Sequence, residues 1–459
     1  MISYLVNKGS PLFWLSFHVA LGVICTITPW VLIGWFYIVF LSSLFLYVSK
    51  NQIPVIYLIF LIAYSTSFEL LARMSGTSPY IPYELGKYIL FALLIVGILR
   101  GYRSGHIGWI MLVLLLPALL IDEAGTATLK NIIFNLVGPI NVALAVIFFR
   151  QLNLGEKDLF SLVRLLIYPL VSVLAYTIIK TPDLDNVEYT LNANFAASGG
   201  FGTNQVSTAL GLGAFLVFLF FRYKYKLTGY RWLDLILLFA FVFRGLMTFS
   251  RGGMIGGALG IITVFLLSLI YYPQNHVYNK AKTIFFVLII STMLTATFFY
   301  ANRMTGGLLL LRYQGETPGT LRGTREKTLN TITANRLKIF LDDIALWRQF
   351  PFLGTGVGAS SYLRESSRGY NSHTEISRLL AEHGIFGLVY VILLFRLGIY
   401  IFRNQCRIPI GAVFIAFYVI ALFTTFHAAT RTYISPLLFG LSLLTINSDP
   451  GGDVTIDND

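Results

Sequence analysis

Several clusters in this 459-residue chain combine residue types suited to chemistry. In TFSRGGMIGG at 248–257, Arg251 stands before two glycines, seven positions after Arg244. A guanidinium presents a fixed fork of donors that matches a phosphate or diphosphate, and neighbouring glycines allow close backbone approach. Arg336 opens an amphipathic stretch that ends in PFLGTGVG at 351–358. HTEISRLLAEHGIFG at 373–387 begins with His373, a residue type able to act as a general base near neutral pH, followed closely by Glu375. Arg378 and Glu382 in the same stretch are spaced to pair along one helix. A second His–Arg pair, His427 and Arg431, lies in HAATR at 427–431. In SGGFGTNQVS at 198–207, the amides of Asn204 and Gln205 suit a hydroxyl-rich ligand. Each cluster also has a structural reading: arginines snorkel to a membrane surface, histidines cap or pack, and polar glycine-rich turns cap helices.

No metal is expected. Cys25 and Cys406 are far apart and form no zinc spacing, and no cluster of carboxylates offers a divalent site.

The elements that must position these residues are membrane helices. Of the chain, 56% is hydrophobic and only 12% charged, too little charge to cover a soluble domain of this size. Apolar blocks long enough to cross hydrocarbon occur at 11–28, 30–48, 53–72, 86–100, 107–121, 131–149 and 159–179. They continue at 202–221, 231–248, 253–272, 283–301, 377–402, 408–426 and 432–446, predicting an all-α integral membrane protein with about 12–14 spans. No small-residue cleavage site follows the first block, so it reads as a retained helix.

Loop charge sets the orientation. The connections bearing Arg100/Arg103, Arg150/Lys157, Arg222/Lys224/Lys226/Arg231, Lys280/Lys282 and Arg403/Arg407 all fall on one side in a fourteen-span arrangement. The alternate connections carry Asp122, Glu123, Asp183, Asp185 and Glu188. Both termini are therefore expected in the cytoplasm. The net charge of +13 fits cytoplasmic loops meeting anionic lipid rather than nucleic acid. The expected regions are 1–180 and 181–301 as helices, 302–373 as a large extracytoplasmic loop, 374–446 as the last helices, and 447–459 as a cytoplasmic tail.

That loop, between the third- and fourth-last spans, is far longer than a connection needs to be. It holds ten Lys/Arg (Arg303, Arg312, Arg322, Arg325, Lys327, Arg336, Lys338, Arg348, Arg364, Arg368) against five Asp/Glu. A positive outer loop runs against the bias of the other outer loops, and an anionic ligand would explain it. Within it, 335–349 reads as an amphipathic helix with Leu337, Phe340, Leu341, Ile344 and Trp347 on one stripe.

Three of these segments, in this order and with this loop between the first and third, resemble the O-antigen ligase and O-antigen polymerase superfamily of bacterial membrane glycosyltransferases. They are 248–257, 336–358 and 373–387, and the resemblance covers about 190–445; Thr374 departs from it, standing where the family often has asparagine. The resemblance implies a GT-C-like fold in the bacterial inner membrane. It implies transfer of a glycan from undecaprenyl diphosphate to an acceptor hydroxyl on the periplasmic side, for polysaccharide or lipopolysaccharide assembly in the cell envelope. No cofactor or metal is implied. Arg251 and Arg336, with Arg244, would bind the diphosphate, and His373 would orient or deprotonate the acceptor. Asn204, Gln205, Glu375, His427 and Arg431 are further candidates for substrate contact. The expected activity is that of a polymerase; the alternatives are a ligase acting on a lipid A-core acceptor and, from another class, a flippase of lipid-linked sugar. Expected partners are the lipid-linked donor, a glycan or lipid A-core acceptor, membrane lipid and other polysaccharide-assembly membrane proteins.

Overall fold

A computed structural model describes residue 5 and residues 10–49, 53–182, 187–271, 280–370 and 372–446. The expected tail at 447–459 and the acidic Asp183 and Asp185 lie outside these residues. So do the side chains of Lys280 and Lys282.

The chain is an all-α integral membrane protein. Every one of the fourteen apolar blocks carries a helix. Among the described residues, seven helices are long and apolar enough to cross a membrane: Trp30–Ser49, Ile56–Ser75, Leu129–Phe149, Glu156–Lys180, Thr203–Arg222, Arg251–Ile270 and Glu375–Gln405. Four shorter apolar helices accompany them, Pro11–Ile24, Leu85–Leu99, Ile107–Leu120 and Gly411–His427. Several blocks are shorter as helices than as hydropathy, two of them for a visible local reason. Pro117 leads the 107–121 block into a 3-10 turn, and the last block is helical only over Ile434–Leu441. Beyond it, Thr445–Ile446 pairs in parallel with Asn153–Leu154.

Contacts between helix ends fall into two sets. At one end Arg100 reaches Val48 O, Arg150 lies over the Tyr400 ring, Arg164 reaches Lys226 O and Tyr223 donates to Pro409 O. At the other, Tyr176 donates to Met74 O, Arg73 to Gln205, Asn194 N–H to Thr248 O and Arg378 to Asn135 O. Among the described residues, the basic connections around Arg100, Arg150 and Lys226 belong to the first end. The clusters suited to chemistry gather at the second.

The long connection after Lys280–Met304 is built rather than loose. Short helices at Leu308–Tyr313, Pro318–Leu321 and Leu329–Ile332 lead to the loop helix Arg336–Gln349, which packs on the re-entry helix Glu375–Gln405. The packed face differs from the expected one: Ile339, Asp343 and Leu346 are buried, whereas Leu341 of the apolar stripe is exposed. A buried ion pair sets this rotation. Asp343 accepts from Arg364 Nε at 2.7 Å and from Ser377 Oγ at 2.7 Å, so the polar side of the loop helix is drawn inward.

The turn at 351–358 is spliced into a break in the re-entry helix. Gly384 has φ 58°, ψ −132°, which interrupts the helical ladder there. Thr355 N–H and Gly356 N–H donate to Ala381 O and Glu382 O, and Ile385 N–H donates to Phe352 O. A Cβ at Gly384 would lie 2.4 Å from Phe352 O, so the splice needs glycine at that position.

Candidate active site

Helix Arg231–Met247 ends near Thr248, and Phe249 at φ 56° reverses the chain into Arg251–Ile270, of which Arg251 is the first residue. The two glycines after it fix where it stands. A Cβ at Gly253 would lie 2.1 Å from Thr208 N, and one at Gly252 would lie 2.5 Å from the His427 ring. The helix is therefore pressed against Thr203–Arg222 on one side and His427 on the other, in the manner of small-residue contacts between membrane helices.

Arg251 holds the loop down. Its guanidinium donates to Arg312 O at 3.1 Å and to Ile332 O at 2.5 Å, and Arg312 Nε donates back to Phe249 O at 3.3 Å. Arg336 opens its own helix after Asn335 at φ 64°. Its guanidinium has no hydrogen-bond partner among the described residues. The three half-buried cations act on one another. Burial first, then Arg251 and Arg336, push Arg312 down to about 10; burial and Arg251 lower Arg336. Arg251 and Arg336 also stand at the positive ends of helix dipoles, where an anion rather than a cation is favoured. Among the described residues no carboxylate offsets the charge of Arg312 or Arg336. Such a cluster is stabilised by an anionic ligand placed among its members.

His373 borders the same space. Its backbone oxygen accepts from Ala429 N–H at 3.0 Å, and Arg431 donates to Ser372 O at 2.7 Å, which ties the start of helix Glu375–Gln405 to the turn at 427–431. Nδ1 of His373 is buried without a partner among the described residues. Burial, followed by Arg431, Arg336, His427 and Arg364, pushes the imidazole down to about 3, so it is neutral at physiological pH. The Thr374 hydroxyl turns to Ser377 and Ser372 rather than to this ring.

The remaining sequence candidates form the frame. Arg244 does not join the cluster: it is buried and donates to Thr177 O at 2.6 Å, pointing toward Glu156–Lys180 instead. Glu375 is taken up by Arg378 and by Thr430 N–H. Gln205 accepts from Arg73 at 3.0 Å, and Asn204 donates to His427 O at 3.0 Å while its oxygen faces Ser250 Oγ. His427 meets Thr208 through Nε2 and Phe423 O through Nδ1, both at 3.2 Å. Arg378 pairs with Glu382 at 2.9 Å, the structural pairing that their spacing implied.

Two groups were not singled out in the sequence. Arg312 is one of ten loop cations and follows a run of leucines, with no feature to separate it from the rest. The ion pairs Glu69–Arg73 and Glu84–Lys87 are buried in helices whose composition reads as generic membrane. Among the described residues no three His, Cys, Asp or Glu side chains come together as metal ligands.

Fold and site together define a polytopic membrane protein with a cation-lined site at one end of its bundle. Residues 235–392, which hold Arg251, Arg312, Arg336 and His373, match the family model described as O-antigen ligase. The match supports the O-antigen ligase and polymerase superfamily, and with it a glycosyl-transfer role in polysaccharide assembly at the bacterial inner membrane. No curated protein matches the chain.

Proposed function

We propose that the protein is a polysaccharide polymerase that transfers a glycan from undecaprenyl diphosphate to a sugar hydroxyl on the outer face of the inner membrane. The observation that carries this reading is the meeting of Arg251, Arg312 and Arg336 beside His373, whose buried Nδ1 has no partner among the described residues. An apolar cavity of about 200 Å³ supports a lipid donor. Met254, Ala258 and Ile261 of the helix that Arg251 opens line it together with Phe298, and Tyr313, which follows Arg312, borders it too.

In this reading the arginines hold the diphosphate and offset its charge as the bond to the anomeric carbon breaks, without a metal ion. Neutral His373 accepts the proton of the acceptor hydroxyl as its oxygen attacks that carbon. A bound diphosphate would place an anion among the cations that now lower the imidazole, raising its basicity when the donor is present.

This gives a pH test. An ordinary histidine becomes half protonated near pH 6.5, whereas His373 in the free enzyme is expected to stay neutral well below that. Because kcat/KM reports the free enzyme, kcat/KM for the donor should stay level from pH 8 to below 6. An acid limb at 6.5 or above would contradict the neutral imidazole.

The ligase reading is favoured by the description of the matching family and uses the same donor chemistry. Surface glycan from a deletion strain separates the two. Single repeat units on the acceptor indicate a lost polymerase; long chains stranded on undecaprenyl diphosphate indicate a lost ligase.

A further inference from the structure

A second, polar cavity of about 420 Å³ opens beside the arginine cluster, within the range of small-molecule sites, about 300–1,000 Å³. Asn192, Arg312, Thr317, Thr324, Arg325, Thr331 and Asn335 supply its polar lining, and among the described residues no Asp or Glu lines it. Its walls are braced by two one-turn helices, each closed by a capping box, Thr317 with Thr320 and Thr328 with Thr331. The opposite wall comes from another connection, through Asn192.

Arg312 belongs to both spaces. It lines this cavity, and its backbone oxygen accepts from Arg251 at 3.1 Å, so the cavity adjoins the arginine cluster. Arg325 lays its stem over Gly319, where a Cβ would lie 3.3 Å from Arg325 Cδ. Its guanidinium has no hydrogen-bond partner among the described residues. Hydroxyl and amide groups suit a saccharide, and two guanidinium groups without a carboxylate suit a negative charge on it.

We infer that this cavity holds the sugar next to the diphosphate of the donor and selects a sugar bearing a carboxylate. The inference rests on the lipid-diphosphate reading of the arginine cluster, and the test separates the two. The probes are sugar-free undecaprenyl diphosphate and the oligosaccharide released by mild acid from the strain's lipid-linked donor, each titrated against purified full-length protein. Arg325→Gln keeps the stem over Gly319 and removes the charge; Asn192→Trp fills the cavity from the wall outside the large loop. Both should weaken oligosaccharide binding about tenfold or more and leave undecaprenyl diphosphate binding unchanged, which also shows that the variants are folded. Arg336→Ala should do the reverse; if it leaves undecaprenyl diphosphate binding intact, the cluster reading fails independently of the cavity. Reducing the carboxyl groups of the oligosaccharide should cost the wild type a similar factor. Unchanged oligosaccharide affinity in both variants, equal affinity for the reduced form, or a released oligosaccharide with no acidic sugar would overturn the inference.

Discussion

Arg336→Ala is expected to lower glycan transfer by about 10²–10³-fold in kcat, the usual cost of removing one preorganised group that meets developing charge. Arg336 suits this test because it anchors nothing: its guanidinium has no hydrogen-bond partner among the described residues, whereas Arg251 also holds Arg312 O and Ile332 O. Loss of activity at Arg336 therefore reports chemistry, while loss at Arg251 mixes chemistry with release of the loop. His373→Ala should cost about 10²–10⁴-fold, as for a removed general base. Arg336→Lys keeps the charge but loses the fork, and should recover part of the activity. Transfer is measured in proteoliposomes with lipid-linked donor, alongside membrane insertion of each variant. Full activity in both alanine variants would remove the site assignment.

Asp343→Ala is expected to destabilise the region around the loop helix by about 3–5 kcal/mol, because it leaves Arg364 buried without its counter-charge. Both side chains are fully buried, and Arg364 also donates to Tyr370 O at 2.6 Å and approaches Ser360 Oγ. The pair joins the loop helix, the segment after the glycine turn and, through Ser377, the re-entry helix. Its loss should expose 360–370 to limited proteolysis and lower the thermal unfolding midpoint. Asp343→Asn preserves an acceptor for Arg364 Nε and should be milder. A variant as protease-resistant as the wild type would show that the loop is held by other contacts.

Much of this was legible in the sequence, for reasons that are local. A run of apolar residues must be helical in a bilayer, since only a helix or a closed barrel satisfies its backbone there, and each of the fourteen blocks carries a helix. The Arg378–Glu382 pairing followed from spacing alone. The glycines beside Arg251 signalled close approach, though not that Thr208 and His427 are the groups approached.

Other features depended on which distant segments meet. Spacing placed the stripe of Leu337, Phe340 and Leu341 on one face, but the rotation of that helix was set by a charge 21 residues away, Arg364. Arg244 and Arg251 were both candidates to hold a diphosphate, Arg251 the stronger for its glycines; packing sent one guanidinium to Thr177 and the other to the loop.

The sequence by itself determined an all-α membrane protein and the residue types its chemistry requires, because hydropathy and helical period act within one segment. Only the tertiary structure decided that Arg312 joins Arg251 and Arg336. It likewise decided that Asn204, Gln205, Glu375 and His427 are engaged within the frame, and that His373 is neutral. Each of those outcomes depends on burial and on charges brought in from elsewhere in the chain, which no single segment encodes.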